Sequence, residues 1–311
     1  MSELILWRNI EKIATITSVG ELVNKLQEKQ LRIDKSQEQL FYRGEPKDYL
    51  NTKLMPKVFR NDYVGKEYDY YYDILTNFPQ EFENLSNLSR LSKMQHYWCP
   101  TRLLDLTSNP LVALYFACCN HINEAGYFYI FKTREVLNYD SDRALILSCI
   151  SHLNSNQQKS VYEFICDFIA DKEMFEKYKG RLTNEYIGGI TKSENNDYDG
   201  CFQFERLIGE VMRERSAFVN YKTVAKDLLK RYVVRPLIQN ERQKKQEGLF
   251  LIFGLLGNRD IQLDNEIEVY YFEVNNKEKV LNELDLLGIN KSTIYCDIAN
   301  RAEYLKNTKF K

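Results

Sequence analysis

The sequence predicts an α+β protein, on three observations. Short aromatic-rich runs read as strands: QLFYRGE at 39–45, GYFYIFK at 126–132, GLFLIFGLL from 248 and EIEVYYFEV at 266–274. Longer segments with helical periodicity separate them, at 66–95, from Pro110 onward and at 155–178. The motifs GxxxxGK(S/T), GxGxxG after a strand, GxSxG and HExxH are all missing, which disfavours phosphate-loop NTPases, Rossmann dehydrogenases, α/β-hydrolases and zincins.

Each element has its own local reason. Residues 14–30 read as a helix capped by Thr17 or Ser18, with Glu21 three residues after Ser18. The strand at 39–45 stops at Gly44 and Pro46, and KLMPKVFRND follows as an extended, Pro-containing stretch. Pro79 divides 66–95 into two helices. CPTRLLDLT at 99–107 moves from a turn into a short apolar run. Ser108 or Asn109 then caps a helix with Pro110 in its first position. LVALYFACCNHINEA is apolar nearly all round, so that helix is expected to be buried.

Downstream, 133–220 is more polar, with a helix around 155–178 and an Asn/Ser/Gly-rich loop at 188–200. RYVVRPL reads as a strand, ERQKKQE as a polar loop, and the stretch from 248 as a buried strand. NKEKVLNELDLLGI and CDIANRAEYLKN read as closing helices. The 311 residues are expected to form one domain, 1–311, with 133–215 as a helical insertion.

Composition narrows the function. Lys+Arg number 43 against 44 Asp+Glu, a net charge of −1, which argues against coating nucleic acid by bulk positive charge. A local basic cluster such as Arg242, Lys244 and Lys245 would still suffice for a nucleic-acid site. Seven cysteines without a CxxC pair, and three histidines, support neither a zinc site nor a disulfide framework. The start, MSELILWRNIEK, has no secretory pattern, and no apolar run reaches the ~18–20 residues of a membrane span. A cytoplasmic protein without metal or membrane attachment is the expectation.

Four groups of residues stand out. Arg43 ends an aromatic strand and is followed by Gly44. Its planar fork suits a phosphate or carboxylate, and Gly44 permits close approach of a ligand or another backbone; the alternative is a local pair with Glu45. Thr107 and Ser108 sit where a strand enters a capped helix, presenting hydroxyls and free N–H groups to an anionic or ribose-bearing ligand, or serving only as caps. Arg102 and Asp105, embedded in apolar sequence, are expected to pair with each other. Gln246 and Glu247 precede a buried strand, where an amide or carboxylate can bind a sugar hydroxyl or a developing cation; the alternative is a solvated charged hairpin. His96 reads as a core or pocket-wall histidine, and its proximity to Cys99 does not make a catalytic pair.

FYRGE followed by KMQHYWCPTRLLDLTSNPLVALYFACCN resembles the FRG-domain family, with a tyrosine inserted in the motif: Phe41-Tyr42-Arg43-Gly44. RPLIQNERQKKQEGLFLIF and LDLLGINKSTIYCDIANRAEYL resemble the family's downstream strand and its C-terminal ending. FRG domains are distantly similar to the ADP-ribosyltransferase fold, which implies mixed or antiparallel sheets with flanking helices.

The resemblance further implies an NAD-dependent ADP-ribosyltransferase acting on nucleic acid or protein. Its implied setting is a toxin of a bacterial anti-phage or toxin–antitoxin system, with a cognate antitoxin or regulator. In that reading Arg43 holds the NAD pyrophosphate or ribose, beside Gly44. Thr107 and Ser108 support the nicotinamide ribose and orient Arg43, and Gln246 or Glu247 replaces the catalytic glutamate. Tyr97 or Tyr115 stacks on nicotinamide. If Gln246 and Glu247 lie on a strand they face opposite sides, and only one enters the pocket. The alternatives are a non-catalytic nucleotide-binding or interaction module and an NAD glycohydrolase.

Overall fold

A computed structural model describes residues 7, 10–27, 38–60, 63, 65–183, 185–187, 198–218, 222–257 and 267–308. Ten strands are present among them: β1 (Ile10–Ile16), β2 (Gln39–Glu45), β3 (Leu103–Thr107), β4 (Gly126–Thr133), β5 (Val136–Asn138), β6 (Arg181–Thr183), β7 (Lys222–Val224), β8 (Arg231–Arg235), β9 (Gly248–Phe253) and β10 (Ile267–Val274). Eight of them make one mixed sheet in the order β1-β10-β4-β2-β3-β9-β8-β5, while β6 and β7 pair separately. The two outermost pairings of the large sheet, β1–β10 and β5–β8, are parallel and the rest antiparallel. The protein is therefore α+β.

Local sequence accounts for most element ends. The first helix begins at Val19, because residues 10–16 form β1 and not the helical start expected from residue 14. Ser18 accepts from the Glu21 amide at 3.2 Å and Glu21 accepts from the Thr17 amide at 2.6 Å, a reciprocal cap. The 66–95 segment breaks before Pro79 as expected, but into three helices and not two: Glu67–Asn77, the short Pro79–Phe82 and Asn87–His96. Asn109 caps the helix Pro110–Cys118, accepting from the Leu111 and Val112 amides. Most of the loop expected at 188–200 lies outside the described residues.

One expected loop is a helix. ERQKK forms Glu241–Lys245, capped by Asn240, whose side chain accepts from the Gln243 amide at 2.8 Å. The helices Asp142–Cys149, Ser155–Ala170 and Tyr198–Glu214 share one apolar core with Leu91 and Met94 of Asn87–His96, Leu103 of β3 and Phe250 and Ile252 of β9. No helix among the described residues is long and apolar enough to cross a membrane.

β2 is asymmetric. All seven of its residues pair with β4, yet toward β3 it makes a single register pair, Tyr42 with Thr107. The sheet thus opens along a seam between its two middle strands. Alternation sends Phe41 into the core shared with Leu54, Leu104 and Leu106, and Tyr42 into the core beneath helix Pro110–Cys118. Arg43 shares the face of Phe41 and Gly44 that of Tyr42. A Cβ on Gly44 would lie 2.0 Å from the Ala113 carbonyl oxygen and 2.3 Å from the Ala117 nitrogen. The close approach that Gly44 permits is that of another backbone: the buried helix rests directly on β2.

Arg102 does not pair with Asp105, contrary to the sequence expectation. It is fully buried, and its Nε donates to Glu67 Oε1 at 3.0 Å while Nη2 also meets the Glu67 carboxylate. Nη1 donates to the Phe253 and Gly254 carbonyls, at 2.9 and 3.3 Å, and Nη2 to Gln158 at 3.2 Å. The side chains at 102 and 105 are separated because the partner comes from a helix 35 residues upstream, which no local pattern announces.

Candidate functional site

Two polar clusters flank the seam. The first is built on β2. Arg43 Nε donates to Glu45 Oε1 at 3.1 Å, and Nη1 donates to the Asp105 backbone carbonyl at 2.9 Å. The guanidinium thereby supplies across the seam a hydrogen bond that the backbone ladder does not make. Its Nη2 has no hydrogen-bond partner among the described residues, and the side chain is 18% exposed.

Glu45 is 1% exposed, also accepts from the Leu54 amide at 3.3 Å, and has its Oε2 buried without a partner. Arg60 stands close by, its ring neighbour Tyr49 at 5.7 Å and its Nε on the Met55 carbonyl at 2.8 Å. Burial, and then the charge of Arg43, lower the Arg60 pKa. Two guanidiniums around one buried carboxylate leave local positive character at this mouth of the seam.

Of the two sequence readings of Arg43, the local pair with Glu45 is present, whereas the hydrogen bonds from Thr107 and Ser108 that the family resemblance implies are not; the second hold is the Asp105 carbonyl. Asp105, which the sequence pairs with Arg102, has a different partner. Its carboxylate is exposed in the middle of a central strand and accepts from Gln95 Nε2 at 2.6 Å, while Thr101 donates to Gln95 Oε1 at 2.5 Å. A charged side chain left open on an inner strand marks the solvent-facing side of the seam.

The second cluster joins the end of β3 to the turn before β9. Thr107 Oγ1 donates to the Gln246 carbonyl at 2.6 Å and accepts from the Asn109 amide at 3.0 Å. Ser108 Oγ donates to Glu247 Oε2 at 2.8 Å, and Asn109 Nδ2 donates to Glu247 Oε1 at 3.1 Å. Four of the residues read from the sequence, Thr107, Ser108, Gln246 and Glu247, are thus brought together across 139 residues of chain.

Gln246 and Glu247 do not lie on a strand, so the opposite-face argument does not apply. Gln246 ends helix Glu241–Lys245, and Glu247 sits at φ 46°, in the left-handed region, one residue before β9. The Gln246 amide donates to the Ile294 carbonyl at 3.4 Å, whereas the exposed Glu247 carboxylate faces Ser108 and Asn109.

The remaining candidates separate by burial. Tyr97 is 66% exposed at the rim, but Tyr115 is 6% exposed, within the core under helix Pro110–Cys118, and burial raises its phenol pKa. Its ring forms floor, with no face open for stacking. His96 is half-buried against the Tyr97 ring at 5.2 Å. The Cys99 thiol is pushed up to about 11 by burial, which leaves it protonated and a poor nucleophile at neutral pH.

Sequence reasoning missed three contributors: the Gln95–Asp105 pair, Asn109 as the second donor to Glu247, and the helix that carries Gln246. Only the last had a visible signal, an Asn followed three residues later by Gln in NERQ.

A mixed-sheet α+β protein with an arginine-bridged seam between its middle strands is the class that fold and site define. Within it, the family model of the FRG domain matches residues 38–125, a stretch that runs from β2 through the seam to the end of the buried helix. Residues 38–125 are thus similar to the FRG domain. No curated protein and no solved structure matches it.

Proposed function

We propose that the protein is an NAD-dependent ADP-ribosyltransferase of the FRG family, acting on a macromolecule at the β2–β3 seam. The observation that carries this reading is Arg43: a partly exposed guanidinium at the parting of two central strands, with one nitrogen unengaged, one residue from the Tyr42–Thr107 pair. The free Nη2 suits a pyrophosphate oxygen, and the neighbouring Arg60 adds to the attraction. NAD supplies a glycosidic bond whose cleavage develops positive charge at the ribose. The carboxylates of Asp105 and Glu247 are the exposed acids beside the seam that favour such charge. Ser108 stands at the helix mouth where a ribose hydroxyl would exchange hydrogen bonds with it and with Glu247. We extend the reading to a toxin of a bacterial conflict system, silenced by a cognate partner.

A second reading, a non-catalytic nucleotide-binding module, is favoured by one feature: both Glu247 oxygens are already engaged, by Ser108 and Asn109. One experiment separates the two. Purified protein is given NAD labelled in the adenylate, with cell lysate as the acceptor source, and released nicotinamide and labelled macromolecule are measured. Release with labelled macromolecule, falling at least ~100-fold in Arg43→Ala, supports transfer. Binding of NAD without release points to the module. Free ADP-ribose alone indicates hydrolysis, and neither binding nor release overturns both readings. Toxicity on expression, lost in the same variant, tests the wider setting.

A further inference from the structure

The helix Asn87–His96 ends in two aromatic rings that the fold leaves open. Tyr97 is 66% and Trp98 72% exposed. Trp98 is held at φ 67°, a left-handed conformation that a bulky residue adopts only when its surroundings impose it. Here they do. The Trp98 amide donates to the Gln95 carbonyl at 2.9 Å, the Cys99 amide to the Met94 carbonyl at 3.0 Å, and Lys57 Nζ to the Trp98 carbonyl at 2.8 Å. The ring is presented by a built turn.

From Tyr97 the surface continues as alternating ring and cation. The His96 ring lies 5.2 Å from Tyr97, and the Arg242 guanidinium lies over the Tyr295 ring at 4.8 Å. Burial, and then the charge of Arg242, hold His96 below its ordinary pKa, which keeps the imidazole neutral and able to stack. Lys244 and Lys245 are exposed on the same short helix as Arg242, with Glu241 as its acid and Asp297 close to Arg242.

Both halves of this surface are anchored. Gln239 Nε2 donates to the Ser89 carbonyl at 3.2 Å, tying the basic segment to the helix that ends at Tyr97. Gln246, at the end of the basic helix, is gripped by Thr107 at 2.6 Å, so the surface leads into the Ser108–Glu247 cluster.

Open aromatic faces accept any base by stacking, and cations beside them track phosphates; together they are the chemistry of single-stranded nucleic-acid binding. Three cations on a five-residue helix favour a polyanion over a protein segment. We propose that the Tyr97–Trp98 turn and helix Glu241–Lys245 form a platform for single-stranded nucleic acid, which names the acceptor class of the transfer reaction and rests on that reading only for what happens after binding.

The test needs no NAD. The chain has two tryptophans, and Trp7 is covered by Arg231 at 4.0 Å and Phe131 at 5.7 Å, so a fluorescence change on titration is read at Trp98. Oligo-dT and oligo-rU at low ionic strength are expected to quench that emission saturably. With labelled oligonucleotide, Trp98→Gly, which keeps the left-handed turn, weakens binding roughly tenfold, and Trp98→Phe restores most of it. The triple variant Arg242→Gln, Lys244→Gln, Lys245→Gln lowers affinity and flattens its salt dependence by about two to three counterions.

Equal affinity of the Trp98→Gly and triple variants and the wild type, or no binding at low salt, overturns the platform. Saturable quenching by unphosphorylated peptides in place of oligonucleotides overturns it in favour of a protein partner. Absence of nicotinamide release in the earlier assay leaves this result untouched, so the two readings fail separately.

Discussion

Two arginines on adjacent strands have opposite surroundings. Arg102, at the start of β3, is fully buried, and each guanidinium nitrogen meets a fixed partner from Glu67, Gln158 or the end of β9. Arg43, on β2, is partly exposed, has one charged partner and one backbone partner, and keeps one nitrogen free. The first ties the end of β9 to Glu67 beside a fully paired ladder and can do nothing else, because every donor is spent. The second leaves a gap open and retains capacity to bind. Saturation of donors, more than residue type or position in the motif, distinguishes the structural arginine from the candidate ligand-binding one.

The largest effects are expected where saturation is complete. Glu67→Ala strands a buried guanidinium and is expected to lower stability by about 3–5 kcal/mol, read as the shift of a urea midpoint at unchanged m-value. A loss below about 1 kcal/mol would end the contrast. Gly44→Ala belongs in the same class, since its methyl meets helix backbone at 2.0 Å and neither element can yield. Soluble yield and thermal midpoint should both fall.

A pH profile sharpens the buried side of the comparison. Gln158, which receives Arg102, also donates to the Ile150 and Leu153 carbonyls, at 3.3 and 2.9 Å, bracing the turn that carries His152. Burial lowers the His152 pKa to about 4, with Glu210 opposing and Arg90 assisting. The unfolded chain takes up a proton near pH 6.5 that the folded chain refuses, so the stability from the neutral ring is complete above that pH. It declines as pH drops toward about 4. Denaturation midpoints from pH 7.5 downward (a titration range spanning ~6.5) should show this loss, and His152→Gln should remove its share.

Arg43→Ala is expected to cost only about 1–2 kcal/mol, because Arg60 still faces the buried Glu45 carboxylate and water reaches the partly exposed space that the guanidinium leaves. A loss as large as that of Glu67→Ala would recast Arg43 as a second structural knot. The smallest change has the opposite sign. Trp98→Gly removes a strained left-handed tryptophan and is expected to stabilise by about 1 kcal/mol, checked as a rise in thermal midpoint.

What was legible in the sequence followed from local rules. The caps at Ser18 and Asn109, the break at Pro79, the buried helix from Pro110 and the aromatic strands β4, β9 and β10 depend on neighbours within a few residues. Those rules also placed Thr107, Ser108, Gln246 and Glu247 at element ends, where exposed donors and acceptors concentrate. They offered the local pair of Arg43 with Glu45, but revealed neither its second hold on the Asp105 carbonyl nor that Glu247 sits in a left-handed turn facing Ser108 and Asn109.

The polar residues of the PTRLLDLTSNP stretch divide the same way. The sequence by itself determined that Arg102, Asp105 and Thr107 lie on or beside one short strand leading into a capped helix, because alternation, Pro110 and Asn109 are local signals. Only the tertiary structure decided their tasks. Glu67 arrives from 35 residues upstream to neutralise Arg102, and Gln95 donates to the exposed Asp105 carboxylate. β2 meets β3 at a single pair, which leaves Arg43 to span the opening. A charged side chain takes its role from the partners that reach it through space, and burial makes the choice of partner worth several kcal/mol, roughly the scale of the whole fold's stability.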